Sequence, residues 1–179
     1  MSAKVVGVVG PSGVGKDTVM EAMAALRKDI QLVRRVITRP AGAGGEKSIG
    51  ATEAEFDDQV AQGHFYLWWA AHGLRYGVPR TAVDAPGASI VLVNLSRGIL
   101  DQARAAFDDF AVLSLKARTE TLGDRLAARG RETSAEIVSR LERSGSLRPQ
   151  GHDVIEIYND GPLGETVQHA LAALQPVRA

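Results

Sequence analysis

An α/β fold, with a parallel five-stranded sheet covered by helices on both faces, is predicted for this 179-residue chain by two observations. Short apolar runs alternate with amphipathic stretches through most of its length, which is the trace that strand and helix alternation leaves in a sequence. The first apolar run, Lys4-Val-Val-Gly-Val-Val9, is joined to the first amphipathic stretch by Gly10-Pro-Ser-Gly-Val-Gly-Lys16, a turn of the form Gly-x-x-x-x-Gly-Lys. In that frame the turn is a phosphate-binding loop, and the fold is of the P-loop NTPase type, whose ligands sit beyond the carboxyl ends of the strands.

Each element follows from its residues. Asp17 to Lys28 carries Val19, Met20, Met23 and Leu26 at helical spacing, so the loop opens a helix whose N-terminal N–H groups face an anion. Gln31 to Ile37 is expected as a second strand, with Arg34 and Arg35 near its middle, ending at Thr38-Arg39-Pro40. Residues 41–50 are rich in glycine and form a loop. Thr52-Glu-Ala-Glu-Phe56 has the Ser/Thr-x-x-Glu form of a helix start. His64-Phe-Tyr-Leu-Trp-Trp-Ala-Ala71 is extended, and Gly73 to Gly77 turns into another extended piece. Residues 34–80 are therefore expected as a small, irregular insertion. Ala88 to Val93 is a nearly continuous apolar run of the kind buried on both faces. A helix at about 96–106, a strand at Phe110 to Leu115, helices beginning near Thr119 and Ser134, a strand at Asp153 to Ile157 and a helix at Leu163 to Leu174 complete the chain.

Composition limits the function classes. The chain is 45% hydrophobic and 23% charged, long enough for one core and too short to need two. Its 21 basic and 21 acidic residues balance, so nothing suggests a general affinity for nucleic acid or an anionic membrane. No apolar run approaches the roughly 20 residues of a membrane span, and a cytoplasmic location is expected. Absence of cysteine removes thiolate nucleophiles and disulfides.

Within the loop, Lys16 is the cation expected to reach the β- and γ-phosphates of ATP. The next position, where a hydroxyl usually meets magnesium, is Asp17, followed by Thr18. Two roles are open to Asp17: a carboxylate ligand to Mg²⁺, directly or through water, or a charge that favours the first helical turn. Further on, Arg125-Leu-Ala-Ala-Arg-Gly-Arg-Glu132, with Arg140 and Arg143, gathers guanidiniums around one glycine. One reading is a solvated helix face paired with Glu132, Glu136 and Glu142; the other is a lid that carries cations over a transferring phosphoryl group.

Taken together, these pieces resemble guanylate kinase over nearly the whole chain. The resemblance rests on Gly10 to Lys16, Thr38-Arg39-Pro40 with Gly45-Glu46, Glu55-Phe56, Tyr76-Gly77, Arg125 to Gly130, Arg140-Leu141 and Asn159-Asp160, all in family order. It implies one domain, with a core of residues 1–33 and 81–179, an acceptor-binding insertion at about 34–80 and a helical lid at about 125–145. It also implies Lys16, Arg129 and Arg140 as catalytic cations, and an ATP site of Gly10, Pro11, Ser12, Gly13, Val14, Gly15, Lys16, Asp17, Thr18 and Asn159, the last near the adenine. Arg39 corresponds to an acceptor-phosphate ligand.

The departures lie in the insertion. Where guanylate kinases carry the base-reading glutamate of Leu-Glu-Trp-Ala, the chain is read as Leu67-Trp68-Trp69-Ala70, with Trp68 in the glutamate's place; Val78 replaces a hydroxyl residue, and a second arginine after Pro40 is missing. A site without those hydrogen-bonding groups loses the guanine edge. The pattern Gly15-Lys16-Asp17, Trp69-Ala-Ala-His-Gly73, Tyr76-Gly77 and Val93-Asn-Leu-Ser-Arg97 is similar to the ribose 1,5-bisphosphate phosphokinase branch of this superfamily, which acts in phosphonate breakdown. That resemblance implies a sugar bisphosphate acceptor, ATP and Mg²⁺ as cofactors, and substrate contacts from Arg35, Thr38, Arg39, Trp68, His72, Arg75 and Tyr76. Each of these alone is equally a surface charge or a packing residue, and a monomer or homodimer is expected. The competing readings are a nucleoside-monophosphate kinase of altered base preference and a catalytically silent guanylate kinase-like interaction module.

Overall fold

A computed structural model describes residues 3–41, 43, 47–130, 133–144 and 148–174, with the side chains of 140, 143 and 144 outside the described set. Its centre is β1 (Lys4–Val9), whose residues from Val5 to Val9 are all buried. It lies between β7 (Ile90–Asn94) and β8 (Phe110–Lys116), with β2 (Ile30–Leu32) and β9 (Val154–Tyr158) at the edges, giving the order β2-β7-β1-β8-β9 with every pairing parallel.

Because successive strand side chains point to opposite faces, the β-branched runs build two cores at once. Val6, Val8, Leu92 and Leu113 pack with Val19, Met20 and Met23 of α1 (Lys16–Leu26), Leu122 of α5 (Thr119–Ala128) and Val167, Ala170 and Leu174 of α7 (Leu163–Leu174). Val5, Val9, Val91, Val93 and Val112 pack on the opposite face with Val83 of α3 (Arg80–Val83) and Leu100 and Ala103 of α4 (Leu100–Ala106). Helices do cover both faces, but the second face is shared with another sheet, which contributes Leu67, Trp69 and Val78.

That second sheet corrects two expectations. The run from Gln31 to Ile37 is not one strand. Val33 still donates to the Leu92 carbonyl of the main sheet, at 3.0 Å, and the chain then leaves, with Arg34 exposed, so that β3 (Val36–Ile37) pairs elsewhere. Nor is the stretch that follows irregular: β3, β4 (Ile49–Gly50), β5 (Phe65–Ala71) and β6 (Leu74–Pro79) form a mixed sheet in the order β4-β3-β6-β5. Its far face is covered by α2 (Glu53–Ala61), whose start has both capping-box bonds, Glu55 N–H to Thr52 Oγ1 at 3.2 Å and Thr52 N–H to Glu55 Oε2 at 2.7 Å. Phe56 of α2 is fully buried against Phe65 and Val36. A second capping box, Thr133 with Glu136, opens α6 (Ser134–Ser144). Among the described residues, no helix is long and apolar enough to cross a membrane.

Candidate active site

The loop from Gly10 to Lys16 leaves the carboxyl end of β1 and opens α1. Gly15, the residue before the helix, has φ 92°, a left-handed conformation, and a Cβ there would lie 2.9 Å from Asn159 Nδ2. At Gly10 a Cβ would fall 2.7 Å from the Leu115 carbonyl, so the loop can lie against β8 only without a side chain. Lys16 folds back over the loop, its Nζ donating to the carbonyls of Gly10 at 2.9 Å and Pro11 at 3.4 Å. Asp17 and Thr18 stand exposed on the first turn of α1. The Asp17 carboxylate accepts from Asn94 Nδ2 at 3.2 Å, and Asn94 ends β7, the strand beside β1.

The far side of the loop is tied down by two residues. Asn159 is 4% exposed; its Nδ2 donates to the Val14 carbonyl at 2.8 Å and its Oδ1 accepts from Thr166 Oγ1 at 2.8 Å. Both ends of its amide are therefore committed within the fold, where the side chain holds the loop. Arg125 adds two bonds, to the Val14 carbonyl at 3.3 Å and the Asn159 carbonyl at 2.7 Å. In the sequence nothing local distinguishes Arg125 from Arg129. Arg129 itself is exposed at the carboxyl end of α5. Arg140 lies on α6, its side chain outside the described residues, and Arg131 and Glu132 lie outside them altogether.

In the second sheet the predicted acceptor residues separate onto two faces. Trp69 pairs with Tyr76 across β5 and β6, and their rings stack at 5.3 Å with 12° between planes. Arg35, 6% exposed, sets its guanidinium 4.9 Å from the Tyr76 ring and 5.6 Å from that of Trp69. Trp69 Nε1 donates to Ser96 Oγ at 3.0 Å, joining this face to the loop after β7. Trp68 and Arg75 belong to the opposite face. Arg75 lies 4.4 Å from the Phe56 ring and 5.3 Å from the Trp68 ring, and its Nη1 bonds Asp57 at 2.6 Å and Glu53 at 3.2 Å. These two residues pack on α2 and lie on the face opposite to Trp69 and Tyr76. The β5 residues packed in the same cluster as Tyr76 include Leu67, Trp69 and Ala71, and Trp68 is not among them.

His72 and Gly73 form the two-residue tip of the hairpin, both at positive φ, 54° and 72°. His72 is exposed there as a turn residue. Thr38 is tied to β6, its Oγ1 accepting from the Arg75 N–H at 2.9 Å. Arg39 follows β3 half-buried, while residues 42 and 44–46, which include Gly45-Glu46, lie outside the described residues.

A cavity of about 250 Å³ opens beside the loop, walled by the Gly10 and Pro11 segment, Arg97, Ser114, Lys116 and Arg148. Of its cations, Lys116 is paired with Glu156, and burial pulls the Arg97 guanidinium below its ordinary pKa. Magnesium and ATP fit the donor set. The loop offers N–H groups and Lys16 to phosphates, and Asp17 offers an oriented oxygen. Among the described residues no group of three or more His, Asp or Glu side chains could hold a metal ion.

No family model matches the chain. It is 49% identical over 177 residues to ribose 1,5-bisphosphate phosphokinase PhnN of Ruegeria sp. (strain TM1040), covering 98% of this chain and 93% of that protein. It is 42% identical to the protein of the same name from Brucella melitensis biotype 2 (strain ATCC 23457), covering 96% and 92%. Among solved structures, guanylate kinase from Anaplasma phagocytophilum aligns with a TM-score of 0.65 at 19% identity, over 97% of this chain and 85% of that one. A gluconokinase from Sinorhizobium meliloti 1021 aligns with a TM-score of 0.57 at 21% identity, over 97% and 91%. At those identities the structures speak for a shared kinase fold alone.

Proposed function

The chain belongs to the ribose 1,5-bisphosphate phosphokinase family, and from that premise we propose that it transfers the γ-phosphoryl group of MgATP to the C1 phosphate of ribose 1,5-bisphosphate, forming 5-phosphoribosyl 1-diphosphate and ADP in the cytoplasm, as a step of phosphonate breakdown. The observation that carries the acceptor choice is β5 itself: Phe65–Ala71 holds no carboxylate on either face to accept from a guanine edge, its Leu67 and Trp69 packing with Val78 into the core and the Arg35 guanidinium lying against the Trp69 and Tyr76 rings. A sugar with a phosphate at each end has no such edge, and needs cations and hydroxyl-reading groups instead.

Little proton chemistry is required of the protein. A phosphate monoester is largely dianionic at neutral pH, with a second pKa near ~6, so its oxygen attacks without a general base. Positioning and charge neutralisation carry the rate. The α1 N–H groups and Lys16 hold the β- and γ-phosphates, Asp17 held by Asn94 supplies an oxygen to Mg²⁺, and Arg125 and Asn159 keep the loop in shape. Magnesium, when bound, neutralises charge on the phosphates. Arg35, Arg39, Thr38 and Tyr76 form the acceptor side, and α5 with α6 acts as the lid that brings Arg129 and Arg140 over the transferring group and excludes water. Phosphorus NMR of enzyme, MgATP and ribose 1,5-bisphosphate tests this reading: the paired resonances of a new diphosphate are expected, in step with ADP. ATP consumption without a sugar diphosphate would contradict it.

A further inference from the structure

The segment Asn94-Leu95-Ser96-Arg97 joins both halves of the site. Asn94 bonds Asp17 of the ATP side at 3.2 Å, and Ser96 receives Trp69 Nε1 of the acceptor side at 3.0 Å. Leu95 N–H pins the segment to the Val8 carbonyl of β1 at 3.0 Å. Arg97, next in the chain, is thereby fixed at the wall of the cavity beside Gly10 and Pro11. The two carbonyls of that segment are the ones that hold Lys16 Nζ. Arg97 thus shares a cavity wall with the loop segment that anchors Lys16.

We propose that Arg97 is a catalytic residue of this kinase, its guanidinium contacting the phosphoryl group in transit between ATP and the acceptor phosphate. The inference rests on the phosphokinase reading above. In the step, an oxygen of the acceptor's C1 phosphate forms a bond to the γ-phosphorus as the bond from that phosphorus to the β,γ-bridging oxygen breaks. The leaving electron pair stays on the β-phosphate of ADP, and no proton moves. Negative charge spreads over the equatorial oxygens at that moment, and a cation already fixed beside them stabilises it without reorganising. Partial burial strengthens the effect, since a guanidinium screened less by water attracts phosphate more strongly while staying protonated. The planar fork also matches two phosphoryl oxygens, which a lysine cannot do.

The test uses the full chain with Arg97→Ala and Arg97→Lys, both checked for fold by thermal melting. With ribose 1,5-bisphosphate as acceptor, Arg97→Ala is expected to lower kcat and kcat/KM together by about 100-fold or more, the scale of one lost transition-state donor. Arg97→Lys, which keeps the charge and loses the fork, should fall between, at about 10-fold. The second readout is calorimetric: in wild type, aluminium fluoride should tighten the complex of MgADP with ribose 1,5-bisphosphate, whereas in Arg97→Ala that gain should vanish and MgADP alone should bind as before. Wild type that makes no diphosphate would sink the function reading and this inference with it. An active wild type beside an Arg97→Ala variant within threefold of it, or one changed only in the KM for ATP, would overturn the role of Arg97 alone; so would an Arg97→Lys protein that folds and keeps full kcat, if Arg97→Ala does not fold.

Discussion

Asn159→Ala separates a residue that reads the adenine from one that shapes the phosphate loop. The structure commits both ends of the amide, to Val14 and to Thr166, at 2.8 Å each and at 4% exposure. Each buried bond is worth about 1 kcal/mol net, and a carbonyl left short of a partner costs about 1–3 kcal/mol more. Arg125, at 3.3 Å from the same Val14 oxygen, relieves part of that second cost. The sum is about 2–4 kcal/mol, which for a chain of this size lowers the melting temperature by about 5–15 °C. Because the loss acts through the loop, the KM for ATP and the KM for GTP should rise by the same factor, while the KM for the acceptor stays within about twofold. Differential scanning calorimetry and paired kinetics with the two nucleotides decide it. A variant with unchanged melting temperature and an ATP-over-GTP preference shifted by about 10-fold would refute the reasoning and return Asn159 to the adenine.

Three further outcomes follow from the geometry. Asp17→Ala should raise the magnesium concentration needed for half-maximal rate, Asp17→Ser should restore much of it, and Asn94→Ala should move the same titration in the same direction; a magnesium curve unmoved by all three would leave Asp17 with only its effect on the helix dipole. Arg75→Ala should lower thermal stability by loosening α2 and leave the acceptor KM within about twofold, and a tenfold rise in that KM would place Arg75 in the site after all. Asp153, bonded to the Arg104 guanidinium at 2.8 Å, has its pKa held below the usual carboxylate value of 3.8, so the pair's stabilisation is complete above that pH and is lost as pH falls below it. Urea unfolding of wild type and Arg104→Gln should accordingly differ at pH 7 and converge in acid; a gap that stays constant to pH 2 would contradict the assignment.

What was legible in the sequence is what local pattern determines. The glycine loop, the near-continuous apolar strands around it and the Thr52 capping box each carry their cause within a few residues, and each stands in the structure where it was expected. Partner choice is not local. Nothing in Gln31 to Ile37 announces that its second half bonds β6 instead of β7, since Leu32-Val33 and Val36-Ile37 are apolar pairs of similar strand propensity. The side to which Trp68, Trp69, Arg75 and Tyr76 point depends on the hairpin register and on the irregularity between Phe65 and Leu67, which sequence spacing does not reveal. The same holds for Asn159 and Arg125: an amide or guanidinium near the loop is visible, but whether it faces ligand or backbone is a tertiary fact. The Val93 to Arg97 motif was visible as a family pattern, and only the bonds from Asn94 to Asp17 and from Trp69 to Ser96 show what it joins.

The central claim is that the acceptor is a sugar bisphosphate, because β5 (Phe65–Ala71) carries no carboxylate for a guanine edge. Donors of that edge left unpaired cost about 1–3 kcal/mol each. Ribose 1,5-bisphosphate and GMP competing for limiting MgATP measure the difference directly. The account predicts a kcat/KM for ribose 1,5-bisphosphate at least about 100-fold above that for GMP, a gap of roughly 2.7 kcal/mol. Preferential formation of GDP would contradict it.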